Sequence, residues 1–269
     1  MKLSIHHIPT EMMLRQMDLW YRTPLGICLL EAERTMLATY WKSCFGKHVL
    51  QIGGPGEFLL SPSNPPFYFL RLTPERMPIF KGISVRGQLD ELPFLPESLT
   101  LILLPHLLEF ATDPQKILAQ SYQALAPGGR LIIFGFNPWS LWGLFKIGSY
   151  SKTLPWRGHF RSLPQLKKWL IQQDFLVVQS RALFFRPPCT QRETLARLAP
   201  METLGAWLWR KYGGVNFLMA KKQMTPLMPI QESAQYTQLS AQPAQSCLMT
   251  HTEDPFPSPD LFTKKSHEQ

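Results

Sequence analysis

Cysteine is scarce in this chain. Cys28, Cys44, Cys189 and Cys247 stand far apart, with no C-x-x-C pair or His/Cys cluster at zinc spacing. That spacing argues against a disulfide framework, a zinc module or a thioredoxin-type redox motif, and points to reduced thiols. Long hydrophobic runs are also lacking. The longest apolar stretch, Leu99 to Leu108, is broken by Thr100, Pro105 and His106 and is too short to cross a bilayer. Residues 1–19 contain His6, His7 and scattered charges instead of a continuous apolar core, so no secretory signal is expected and a cytoplasmic protein is. No nucleophile–base–acid arrangement or metal cluster stands out. Charged residues make up 17% of the chain and apolar residues 45%, enough to bury a sizeable core.

Acidic residues are the rarer charge, and unevenly so. Residues 1–223 hold 26 Lys and Arg against 14 Asp and Glu, and the remainder is mildly acidic. Over 146–222, fourteen basic residues face Asp174, Glu193 and Glu202 alone. A field of that sign attracts phosphate-bearing or other anionic molecules, although a solvated basic face would have the same composition.

The stretch 48–56, His-Val-Leu-Gln-Ile-Gly-Gly-Pro-Gly, carries the strongest local signal. An apolar strand, Val49–Ile52, runs into Gly53, Gly54 and Gly56, the pattern of a tight turn where backbone can approach a ligand. Upstream, Thr23-Pro24 starts a helix, with Thr23 as cap and Pro24 at the first helical position. Leu29, Met36 and Tyr40, with Leu30, Leu37 and Trp41 beside them, recur at helical spacing until Phe45-Gly46.

Downstream, strands are expected over Phe67–Leu72, Ile83–Arg86 and Leu99–Leu104, the last apolar enough to be covered on both faces. Asp113-Pro114 opens a second helix, with Ile117, Leu118, Tyr122 and Leu125 as its stripe. Pro127-Gly128-Gly129 stops it before a strand at Leu131–Phe134. A helix over Pro164–Gln173 leads to a strand at Phe175–Gln179, and a helix over Met201–Tyr212 precedes a last strand, Val215–Ala220. Alternating strands and helices imply parallel crossover units in an α/β, doubly wound sheet. From 224 to 269 the composition shifts to Gln, Ser, Thr and Pro, too poor in large apolar groups to fold alone. The expected organisation is a domain over 1–223, with 1–47 as helical lead-in, and a disordered tail.

This ordered series resembles the class I S-adenosylmethionine-dependent methyltransferases of the type 11 subgroup. The residues that carry the resemblance are Val49 to Gly56, Gly87 with Leu92-Pro93-Phe94, Ser98, His106 to Phe110, Asp113-Pro114 and Leu125 to Arg130. Thr23 to Gly26, Gly135 to Leu144 and Gly213-Gly214-Val215 are similar to a bacterial branch of it. The resemblance implies a mostly parallel seven-stranded Rossmann-like sheet with an antiparallel last strand, and S-adenosylmethionine as cofactor. It implies cofactor contacts from Gln51, Gly53, Gly54, Gly56, Thr73, Gln88, Leu89, Pro105 and His106. His106 and Asn137 are the candidates for proton transfer or acceptor orientation, each with a structural role as the alternative.

The sequence departs from the family pattern at Gln51, Glu57, Gln88 and Thr100, where an acid or a glycine is usual, and no acid ends the second strand. Neutral amides still hydrogen-bond ribose and adenine, without the strength of a charge-assisted pair. Methyl transfer to a small-molecule acceptor of unassigned identity is the function expected, the basic second half favouring an anionic one. A degenerate fold serving as a binding module, and an RNA methyltransferase, are the alternatives. The aromatic run 136–149 reads as a lid over the substrate, as a segment at a membrane interface, or as core.

Overall fold

Strands buried on both faces need helices on both faces, and the chain supplies them. In the computed structural model, residues 10–41, 48–55, 59, 68–73, 83–89, 91–148 and 155–223 are described. The elements are α1 (Thr10–Tyr21), α2 (Pro24–Trp41), β1 (His48–Ile52), β2 (Tyr68–Thr73), β3 (Ile83–Arg86), β4 (Leu99–Pro105) and α3 (Pro114–Ala124). They continue with β5 (Leu125–Phe136), α4 (Leu141–Gly148), α5 (Leu163–Gln172), β6 (Phe175–Leu183), α6 (Arg192–Arg197), α7 (Pro200–Leu208) and β7 (Val215–Lys222).

The seven strands form one sheet in the order β3-β2-β1-β4-β5-β7-β6. Strand pairs from β3 to β5 are parallel, and β7 runs antiparallel between β5 and β6. Alternate residues face opposite layers. Ile102, Leu104, Leu131, Ile133 and Leu218 meet Ile117 and Leu118 of α3 and Leu166 and Leu170 of α5. Leu101, Leu103, Ile132, Phe134 and Phe217 share the other core with Met17 and Tyr21 of α1 and Leu25, Leu29 and Leu37 of α2.

Local chemistry sets the helix starts. The Thr23 hydroxyl accepts from Gly26 N at 3.2 Å, and Asp113 accepts from Gln115 N and Lys116 N at 3.0 and 3.1 Å, as N-caps do.

Most element ends match the sequence reading to within a residue, and four elements differ by more. Pro127-Gly128-Gly129 lies within β5 instead of before it: the β4–β5 register shifts between Leu99 and Leu101, and Gly128, at φ +77°, lets the extra residues bulge. β6 runs on to Leu183 across a similar irregularity at Val177/Gln179. β7 continues to Lys222 because Phe175 and Leu176 still pair with Lys222 and Lys221. α7 stops at Leu208, short of Tyr212. The lead-in holds two helices, α1 and α2, joined at a turn so tight that a Cβ on Gly26 would lie 2.3 Å from Trp20 O. The expected helix end at Phe45-Gly46 and the 224–269 tail lie outside the described residues.

Candidate active site

β1 and β4 are neighbours whose connections leave in opposite directions, so the crevice at their carboxyl ends is the switch point of the sheet. The glycine turn sits there. Gly53 and Gly54 both take left-handed backbone, at φ +84° and +74°. A Cβ on Gly54 would come within 2.5 Å of Pro105 Cγ; one on Gly53 would lie 3.2 Å from Pro105 O and 3.4 Å from Leu14 Cδ2. Only glycine meets both the conformation and the space without strain.

The turn is held by its carbonyls. Gly53 O accepts from Gln51 Nε2 at 3.2 Å and from Arg71 Nη2 at 3.0 Å, and Arg71 Nη2 also donates to Pro55 O. Gln51 Oε1 accepts from Leu59 N at 2.9 Å. An ionised carboxylate at position 51 could accept from Leu59 but could not donate to Gly53; the amide does both. Arg71 pairs with Gln51 across the β1–β2 ladder and is buried. Burial pulls its pKa down to about 10, against the opposing charge of Asp18, so the guanidinium stays cationic at neutral pH.

One residue beyond Pro105 the chain turns through left-handed backbone at His106, φ +49°. The His106 side chain points into the layer beneath α1 and α2 and is wholly buried. Its Nε2 is 2.7 Å from Glu33 Oε1 and its Nδ1 is 3.2 Å from Glu109 Oε1. Tyr21 donates its hydroxyl to Glu33 Oε2 at 3.0 Å, and Phe136 N donates to Glu109 Oε1 at 2.6 Å. The Phe136 ring lies 3.9 Å from the imidazole. Glu109 Oε2 is buried with no partner among the described residues.

Burial opposes a charged imidazole. The Glu33 charge, the hydrogen bonds to Glu109 and Glu33, and the Glu109 charge outweigh it and raise the pKa to about 9. His106 is therefore an imidazolium at neutral pH, donating from both nitrogens, and has no lone pair to accept a proton. Tyr21 is pushed well above its usual range, first by burial and then by Glu33, and stays neutral.

The structure brings Gln51, Gly53, Gly54 and Pro105 into one contact set, with His106 next in sequence but facing away from the turn. Gly56 and the side chain of Thr73 lie outside the described residues, as does Glu57. Gln88 is exposed, while Leu89 packs against the core beside Leu92 and Phe94. Thr100 stands at the opposite end of β4 from the turn, donating to His48 O at 2.8 Å. Asn137 is directed toward the approach to β7: its Nδ2 donates to Lys211 O and Gly213 O at 3.1 and 3.0 Å, and its Oδ1 accepts from Trp139 N.

Sequence reasoning missed Tyr21, Glu33 and Arg71. Glu33 left a trace: it is a carboxylate four residues from Leu29 and four from Leu37, inside the apolar stripe of α2. Arg71 likewise interrupts the apolar run of β2.

This strand order, with a glycine turn at its switch point, is the Rossmann-like fold of the S-adenosylmethionine-dependent methyltransferases. Residues 71–133, from β2 into β5, match the Methyltransferase domain family. A solved S-adenosylmethionine-dependent methyltransferase of Thermotoga maritima, described as a possible histamine N-methyltransferase, superposes with a TM-score of 0.55. It is 16% identical and covers 79% of this chain and 97% of its own. The chain is 25% identical over 223 residues to the uncharacterised protein YafS of Escherichia coli, covering 78% of this chain and 82% of YafS. It is 28% identical over 186 residues to the uncharacterised protein Mb2026c of Mycobacterium bovis, covering 64% of this chain and 61% of the relative. Among the described residues, no helix is long and apolar enough to cross a membrane.

Proposed function

We propose that residues 1–223 act as a methyltransferase that uses S-adenosylmethionine to methylate a small anionic molecule in the cytoplasm. The observation that carries this reading is the pair Gly53 and Gly54, both in left-handed backbone against Pro105 at the β1/β4 switch point. Residues without side chains of their own are what a close approach by a ligand's methionine and ribose portion needs. The cofactor, when bound, supplies an activated methyl group on a sulfonium. The chain's task is then to hold donor and acceptor in line, which alone removes much of the barrier. Gln51 and Arg71 fix the turn, Gln88 and Leu89 stand at the loop after β3, and Pro105 packs against the glycines. With both nitrogens engaged, His106 serves as a fixed buried cation that positions the bend. The anionic acceptor is supported by the basic excess over 146–222.

A second reading, a binding module without chemistry, is favoured by the neutral Gln51 and Gln88 and by the contacts of Leu14 and Pro105 with the turn. Thermal unfolding with and without S-adenosylmethionine or its demethylated product decides whether the site binds. Ligand at a hundred times its dissociation constant stabilises by about 2.7 kcal/mol. No shift at millimolar ligand ends every cofactor-dependent reading, the RNA alternative included. Transfer of labelled methyl groups to small phosphates and carboxylates then separates enzyme from module.

A further inference from the structure

α4 and α7 keep large apolar residues on their outward sides. A surface helix normally buries such residues and shows its small or polar ones. α4 faces inward with Trp142, stacked on Phe136 at 5.6 Å, and with Gly143, whose Cβ would collide with Pro138 O. Its outward side carries Leu141, Leu144 and Ile147, the last 83% exposed. α7 leans on the body through Gly205, where a Cβ would lie 2.4 Å from the Phe185 ring. Its outward side shows Leu204, Leu208 and Trp207, the last 77% exposed. Between the two helices runs a groove of about 550 Å³, lined by Trp139, Leu141, Leu144, Ile147, Trp209 and Tyr212 among others.

Along the two segments that form this face the charge has one sign. Residues 138–148 and 203–213 contain Lys146, Arg210 and Lys211 and no Asp or Glu. Glu202, at the start of α7, is turned inward, paired with Arg186 at 3.2 Å and accepting from Phe185 N at 3.0 Å. Lys146 is drawn back over the Phe160 ring at 4.4 Å. Arg210 and Lys211 flank the hollow on the other side of Trp207, whose α2 wall carries Glu31. Exposed apolar side chains, amphipathic Trp and Tyr rings and a cationic flank are what a bilayer's headgroup region accommodates. A second copy of the same face, related by a twofold axis, would set these cations against themselves.

We propose that the α4–α7 face docks on the surface of an anionic lipid bilayer. The two helices lie in the interface, the groove takes an acyl chain, and Arg210 and Lys211 meet the headgroup phosphates. α4, eight residues and about 12 Å long, lies along such a surface and does not span it.

The test is flotation of the full chain with vesicles of phosphatidylcholine alone, or of equal parts phosphatidylcholine and phosphatidylglycerol. Binding is expected to the phosphatidylglycerol vesicles, weakening as salt rises, with a blue shift of tryptophan fluorescence. The double variant W139S/W207S alters two exposed side chains and should lose binding tenfold or more, with its unfolding temperature within a few degrees of wild type. R210Q/K211Q should weaken binding about twenty-five-fold, at roughly fivefold per cation removed near the surface. No flotation at low salt overturns the proposal. So does equal flotation of wild type and both variants. A concentration-dependent dimer dissolved by W139S/W207S would overturn it in favour of a second copy of the chain.

Discussion

His106 Nε2 lies 2.7 Å from Glu33 Oε1, joining the bend after β4 to the middle of α2 across 73 residues of sequence. Neither side chain reaches solvent. With Glu109 on the other ring nitrogen and Tyr21 on Glu33, the imidazolium lies between two carboxylates and carries one proton more than a neutral ring would.

That proton makes stability depend on pH. His106 titrates near 9 in the folded chain, against 6.5 when unfolded. A raised folded value means stability fully present below pH 6.5 and lost progressively as pH rises to about 9. The loss is on the order of 3 kcal/mol. Urea unfolding at a series of pH values should show that decline, and His106→Gln should flatten it. A wild-type profile flat from pH 6.5 to 9 would mean the ring is not held charged.

Glu33→Ala leaves the buried imidazolium without its nearer carboxylate and Tyr21 without its acceptor. Breaking a buried pair from one side costs about 3–5 kcal/mol. Glu33→Gln keeps an acceptor for Tyr21 and for a neutral imidazole, and should cost less while also shrinking the pH step. Denaturant midpoints of the two variants check the order; equal losses would show that the charge of Glu33 is irrelevant.

At the glycine turn, Gly53→Asp puts a side chain into left-handed backbone 3.2 Å from Pro105 O. The strain is about 1–2 kcal/mol, small enough to leave the protein folded. Calorimetric titration with S-adenosylmethionine should show binding abolished. Unchanged affinity would place the cofactor elsewhere.

Arg71→Met removes the donor that ties Gly53 O and Pro55 O together. Gly53 O keeps Gln51 Nε2 while Pro55 O loses this donor; an unsatisfied buried acceptor costs about 1–3 kcal/mol, and a loosened turn should weaken the ligand-induced thermal shift more than it lowers the melting temperature itself. A shift identical to wild type would confine Arg71 to stability.

The fold was legible because it is written in local signals: apolar strands closed by glycine, and caps such as Thr23 and Asp113 ahead of proline. Seven strands came out in the right places, with errors confined to ends. β5 was cut short because Pro127-Gly128-Gly129 reads as a stop, and its absorption into a bulge depends on β4 lying alongside. The site was less legible. Gln51 and the glycines announce a turn, but Arg71 belongs to it only through the β1–β2 register. Glu33 and Tyr21 meet His106 only once α1 and α2 fold over the sheet. In the aromatic run, Phe136 and Trp142 are core while Trp139 and Leu144 are exposed. Spacing alone does not separate them, because the division follows from the direction in which α4 leaves β5.

The placement of β7 has a consequence for how the protein is made. Val215–Lys222 fills the slot between β5 and β6, so the hydrogen-bonding edge of β5 waits for a strand synthesised about 80 residues later. At ribosomal speeds of roughly 5–20 residues per second that is a delay of roughly 4–16 s. During it, Ile132, Phe134 and Phe136 present an open strand edge to whatever is nearby. A nascent chain stalled before residue 215 is thus a sheet missing an interior strand.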